Sequence, residues 1–200
     1  MSTMTGVQHA RFGTEELHMT NGPATPSIIL LTGLMAAGKS SVAQALAERL
    51  DRSVHLRGDL FRRLIVRGRA DLGFELTEEA LAQLNLRYAI AGQVAEMYLS
   101  GDFTVVYQDI ILGATLGEVV RNLQHLPLYV VVLCPTIEAI QARELARDKR
   151  GYGTLAEVAL FDHVLRTETP RLGLWLDTSA MTVDETVDQI LQRLSAALIN

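Results

Sequence analysis

Eight consecutive residues, Gly33-Leu34-Met35-Ala36-Ala37-Gly38-Lys39-Ser40, have the makeup of an anion cradle. Gly33 and Gly38 permit backbone conformations that a Cβ would obstruct, so successive N–H groups can turn inward around a phosphate. A helix opening near Lys39 adds the positive end of its dipole. Lys39 can then reach the β- and γ-phosphates of a nucleotide and Ser40 can ligate Mg²⁺, with Ser41 completing the contact run. Lysine occurs in this chain only at positions 39 and 149, against sixteen arginines, so a lysine in this place is not background composition.

A phosphate cradle alone does not separate switches, motors and kinases, so other charged residues must decide. Asp59 follows a short strand, where an open parallel sheet forms its ligand crevice. A carboxylate there can take a proton from an acceptor hydroxyl and orient it toward a γ-phosphate; the competing role is a helix N-cap ahead of Leu60-Phe61-Arg62. Asp109 lies two residues past Tyr107, where an acid could face Mg²⁺, hold metal-bound water, touch substrate or simply be solvated in a loop. The residue nearest the strand, Gln108, carries no charge. Arg143, Arg147 and Arg150 lie at helical or near-helical spacing and lead into Gly151-Tyr152-Gly153. That pattern suits a lid carrying cations over a triphosphate and shielding it from water. Arg57, Arg62, Arg63, Arg67 and Arg69 form a second basic cluster, read as surface charge with an anionic substrate as the other explanation.

These residues need a scaffold, and the chain alternates the right elements. Short apolar runs at Ile28–Leu31, Ser53–Leu56, Phe103–Tyr107, Leu128–Leu133 and Leu174–Leu176 read as buried strands. Helices are expected over Ser40–Leu50 and from Thr77 onward, the latter with Leu81, Leu84, Tyr88, Ala91, Ala95 and Tyr98 as its apolar stripe. Thr136 is a candidate N-cap, and Thr154/Glu157 and Thr182/Glu185 have capping-box spacing. The last helix has Val183, Val187, Ile190, Leu191, Leu194 and Leu198 as its apolar face. Strands without alternation, separated by helices, imply a parallel sheet covered on both faces. Trp175, Tyr88 and Tyr98 are expected to fill core.

The 200 residues suffice for one domain, and 48% apolar with 20% charged residues excludes wholesale disorder. Residues 1–26, rich in Thr, Gly, Ser and Pro, read as a flexible leader with a short helix near Thr14–His18, and residues 27–200 as the domain. A net charge of −5 argues against long nucleic acids as partners. The single Cys134, within an apolar run, excludes a disulfide framework and reads as a core thiol. The longest apolar stretches are about half the ~20 residues of a spanning helix, so a cytoplasmic location is expected.

The cradle, Gly58-Asp59, the segment Val105–Leu112, Cys134-Pro135 before Arg143-Glu144…Arg147…Arg150…Gly153, and Leu176-Asp177-Thr178-Ser179 together resemble the chloramphenicol phosphotransferase-like small P-loop kinases. The resemblance runs from Ile28 to about Leu194. It implies an α/β P-loop fold with a five-stranded parallel sheet and a helical arginine-rich lid, and ATP with Mg²⁺ as cofactors. It implies phosphoryl transfer to the hydroxyl of a small molecule such as an antibiotic, with Asp59 as the base. Gln108 departs from the family pattern, in which an acid is common. A sugar, sugar-nucleotide or nucleoside kinase and a nucleotide-dependent switch without acceptor are the other readings of the same residues.

Overall fold

A computed structural model describes residues 22–70, 77–146 and 155–199. Five strands, β1 (Ile28–Gly33), β2 (Ser53–Arg57), β3 (Thr104–Gln108), β4 (Leu128–Leu133) and β5 (Leu174–Leu176), form one sheet in the order β2-β3-β1-β4-β5. Every pairing is parallel, with Ile28 opposite both Val105 and Leu128. The order reverses direction at β1, so the crevice beyond its carboxyl end lies at a topological switch point.

The sheet is hydrophobic through its thickness because both faces are covered. On one face Ile28, Leu30, Val105, Tyr107, Val130 and Val132 pack with α3 (Glu78–Ser100) and α4 (Ala114–Leu123). On the other, Ile29, Leu31, Val106, Val131 and Leu133 pack with α1 (Lys39–Glu48) and α7 (Val183–Gln192). The alternation Ile28/Leu30 against Ile29/Leu31 is the period-2 geometry of a strand buried on both sides. The remaining helices are α2 (Asp59–Arg63), α5 (Ile137–Leu145) and α6 (Leu155–His163), the last continued by a π-helical turn, Val164–Glu168.

Capping follows the expected chemistry where it is described. Thr77 Oγ1 accepts from Ala80 N, Thr136 Oγ1 accepts from Ala139 N, and Thr182 with Glu185 forms a reciprocal capping box. Thr154 lies outside the described residues, as do residues 1–21.

Several sequence expectations are corrected. No element is expected from the sequence between β3 and β4, yet α4 fills that stretch. Its Leu116, Val119, Val120 and Leu123 make a buried stripe, interrupted at sequence level by Gly113 and Gly117. On α3 the buried stripe is Ala80, Arg87, Tyr88, Ala91 and Ala95, while Leu81 and Tyr98 are exposed. Tyr98 instead meets Phe103 edge-on. Trp175 is half-buried, packed against the edge of the core with the Arg171 guanidinium 4.0 Å from its ring centroid. Val183, in the first turn of α7, is exposed, and so is Leu198, because α7 ends at Gln192 and a 3₁₀ turn, Leu194–Ala197, redirects the chain. Asp59 does not cap α2; Gly58 occupies the N-cap position and Asp59 is the first helical residue.

Candidate active site

The turn from β1 to α1 is anchored by its own apolar side chains. Leu34 and Ala36 enter the core on one face of the sheet, and Ala37 enters the core on the other. What the turn presents to the crevice is therefore main chain. Gly33 ends β1 where a Cβ would stand 2.4 Å from the Leu133 carbonyl oxygen. Gly38, at φ +95°, is the N-cap of α1. Ala36 holds φ +58° without being glycine, a left-handed conformation that costs roughly 1–2 kcal/mol. Lys39, buried, donates from Nζ to the Leu34 carbonyl at 2.7 Å and so spans the turn it ends.

A cleft of about 470 Å³ opens at this turn. Met35, Ala36 and residues 38–41 line one side, Arg57, Asp59 and Arg63 the other, and Arg87, Gln108 and Asp109 the back. Arg143 reaches across from α5, donating to the Ala37 carbonyl at 3.4 Å and the Thr178 carbonyl at 2.5 Å. The Thr178 carbonyl is available because Asp177 folds the loop after β5. Its Oδ1 accepts from Ser179 N at 2.9 Å and Ser179 Oγ at 2.5 Å, and these bonds hold its pKa below the ordinary carboxylate value. The Leu-Asp-Thr-Ser run is thus a turn that fixes the far edge of the cleft.

The expected site residues do not share one environment. Asp59 is partly exposed, hydrogen-bonded by Arg63 one helical turn on and faced by Arg57 Nε at 3.5 Å. Asp109 is sealed inside, at 2% exposure, so loop solvation is excluded. Arg87 donates from Nε to its Oδ2 at 2.9 Å and pairs with its other oxygen as well. Ile110 N donates to Oδ1 at 2.7 Å, and Tyr107 OH stands 3.5 Å from Oδ2. Gly58 is the neighbour that makes room, since a Cβ there would fall 2.0 Å from Asp109 Oδ2. Desolvation lowers the pKa of Arg87 and raises that of Tyr88, which is pushed up to about 12. Tyr88 OH donates to the Ile110 carbonyl at 2.8 Å, and Thr32 exchanges hydrogen bonds with Ile111. The chain after β3 is thereby fixed.

Ser40 Oγ lies 3.5 Å from Gln108 Oε1. A hydroxyl and an amide oxygen side by side at the mouth of a phosphate cradle suit a hard cation that keeps waters and takes phosphate oxygens. Arg147 and Arg150 lie outside the described residues. A second hollow of about 300 Å³ between α3 and α4 carries Glu96, Glu118 and His125. Among the described residues no group of three such side chains is arranged to hold a metal ion.

Residues 26–195 match the model of the chloramphenicol phosphotransferase-like proteins. The chain belongs to that family. An adenylyl-sulfate kinase of Paraburkholderia xenovorans is 31% identical over 181 residues, which cover 86% of this chain and 94% of that one. The fold is shared with the tunicamycin resistance protein of Deinococcus radiodurans, at TM-score 0.65 and 16% identity, over 88% of this chain and 99% of that one. It is shared too with the Mycobacterium tuberculosis APS kinase solved with AMPPNP and APS, at TM-score 0.62 and 22% identity, covering 86% and 99%. The protein thus has a P-loop kinase fold, and its kinase relatives support a phosphotransferase enzyme. Among its described residues no helix is long and apolar enough to cross a membrane.

Three cleft residues were not singled out as site residues in the sequence: Arg87, Arg57 and Arg63. Arg87 left a signal, a charged residue at helical spacing on the stripe Leu84, Ala91 and Ala95. Arg57 and Arg63 left none that separates them from Arg62, whose Nη2 turns away to the Ala70 carbonyl.

Proposed function

We propose that this protein transfers the γ-phosphoryl group of ATP to a hydroxyl of a small molecule. The observation that carries the reading is that Met35, Ala36, Gly38, Lys39 and Ser40 of the cradle line one cleft with Asp59. Acceptor and nucleotide would therefore meet without solvent between them.

In this reading Gly33, Leu34, Met35, Ala36, Ala37 and Gly38 hold the phosphates with main-chain N–H groups, and Lys39 draws charge from the β- and γ-phosphates. Lys39 exchanges the Leu34 carbonyl for phosphate oxygens when nucleotide enters. Ser40 and Ser41 open α1 beside them, and Ser40 with Gln108 would hold Mg²⁺, which supplies charge neutralisation on the phosphates. Asp59 accepts the acceptor's hydroxyl proton; the acceptor oxygen bonds to Pγ as the bond from Pγ to the bridging oxygen breaks, and ADP leaves with that electron pair. Arg143, already at the edge of the cradle, neutralises the transferring group, joined by Arg147 and Arg150 as a lid.

Asp109 has both oxygens engaged by Arg87 and Ile110 N, so its role in this reading is to fix the floor beside Gly58-Asp59 rather than to ligate Mg²⁺ directly. The acceptor is a small alcohol, with chloramphenicol-like antibiotics, sugars, sugar nucleotides and nucleosides as the classes to screen. ADP release with and without candidate alcohols, read with product mass, tests the assignment. Acceptor-dependent ADP formation with a phosphate-sized mass gain on the alcohol is expected. Hydrolysis indifferent to every acceptor would instead identify a switch.

A further inference from the structure

Five cationic side chains line the cleft, Lys39, Arg57, Arg63, Arg87 and Arg143, against two carboxylates, Asp59 and Asp109. The whole chain carries −5, so this excess is local. Arg87 and Asp109 neutralise each other in the interior. Lys39 and Arg143 stand on the cradle side, bonded to the Leu34 and Ala37 carbonyls. What remains on the acceptor side is one carboxylate, Asp59, shared by two guanidiniums.

That arrangement is not a finished salt bridge. Arg57 Nε and Asp59 Oδ1 are both closed off from solvent, face each other at 3.5 Å, and neither makes a hydrogen bond. Arg63 bonds Asp59 Oδ2 from a side chain that is 58% exposed. The base is thus covered by cations that have more donors than it can use.

We infer that the acceptor alcohol carries an anionic group of its own, which Arg57 and Arg63 bind, and that its binding uncovers Asp59. The inference rests on the phosphotransfer reading. A phosphate, sulfate or carboxylate offers the guanidinium forks a second, better-aligned set of oxygens. As they swing to it, a carboxylate oxygen of Asp59 becomes free to take the hydroxyl proton, and transfer proceeds with the bond changes given above. Water brings no anion and leaves the base covered, so the same contact restrains wasteful hydrolysis of ATP. A neutral alcohol would bind without this trigger.

The direct probe is inorganic sulfate, titrated calorimetrically into the full chain loaded with Mg²⁺ and a non-hydrolysable ATP analogue. Saturable binding is expected, weakened ~10-fold or more by Arg63→Gln and partly restored by Arg63→Lys. Acetate in a parallel titration separates a carboxylate from a tetrahedral oxyanion. Sulfate should also accelerate ATP hydrolysis by the wild type and not by Asp59→Asn, an effect that loss of mere structure would not give. Loaded protein that takes up neither anion at ~50 mM, well above the millimolar affinity of a few charge-assisted contacts, overturns the inference and leaves phosphotransfer standing. So does a nucleoside phosphorylated as fast as its 5′-monophosphate. Failure of the nucleotide analogue itself to bind removes the phosphotransfer reading, and this inference with it.

Discussion

The two sides of the cleft are built differently. The cradle side is one continuous segment, residues 33–41, whose apolar side chains are sunk in both cores and whose working parts are main-chain groups. The acceptor side is assembled from the edge strand β2, the five-residue α2 with no buried residue, α3 and the end of β3, and its working parts are charged side chains. Under the proposed function, a rigid backbone cradle would serve the polyphosphate common to every turnover, and exchangeable ion pairs on a thin edge helix would serve the acceptor. The join between the two is the buried Arg87–Asp109 pair, which carries charge into a place where hydrophobic packing would otherwise do.

Removing the base should give the largest effect. Asp59→Asn is expected to keep the ATP dissociation constant and lower the turnover number ~10²–10⁴-fold, measured by calorimetry and coupled ADP release. Lys39→Ala, on the cradle side, should instead weaken both ATP binding and rate, by ~10²–10³ in kcat/KM. Equal phenotypes for the two variants would erase the division of labour between the sides.

The join is tested by stability. Arg87→Met leaves Asp109 buried without its partner and should cost ~3–5 kcal/mol in denaturant unfolding. Arg87→Met combined with Asp109→Leu should recover much of that loss. A single variant as stable as wild type would mean that the pair does not hold α3 to β3. Gly58→Ala is milder: the added methyl meets Asp109 Oδ2, and a cost of ~1–3 kcal/mol is expected, with kcat falling more than KM rises because Asp59 is displaced.

The smallest effect concerns His55 on β2. Burial lowers its pKa, Arg57 lowers it further and Asp59 opposes them, while Nδ1 meets Gln44 Oε1 at 2.8 Å. Its folded pKa is thus below the unfolded value near 6.5. The stability it contributes is present above that value and is lost as pH falls through the folded pKa. His55→Gln should flatten the part of the pH–stability curve just below 6.5, as seen in thermal unfolding at several pH values.

Four of the strands were legible as short apolar runs, β2 as the alternating Ser53-Val54-His55-Leu56-Arg57, and each lies within two residues of its expected bounds. The glycine-rich turn between β1 and α1 was legible because it is one contiguous segment. The helix α4 was not: Gly113 stands at its N-cap and Gly117 in its first turn, and tertiary packing of Leu116, Val119, Val120 and Leu123 overrides the low helix propensity of Gly117. The roles of Asp109 and Arg87 were not legible either, since nothing local joins residues twenty-two positions apart.

By itself, then, the sequence determined the parallel α/β layering and the anion-binding turn, because both rest on local pattern: hydrophobic period, glycine placement and a lysine at a helix start. Only the tertiary structure decided which charges meet. Ion pairing depends on through-space distance and burial, and the chain brings Arg57, Asp59, Arg63, Arg87 and Asp109 together from three separate elements and the turn after β3.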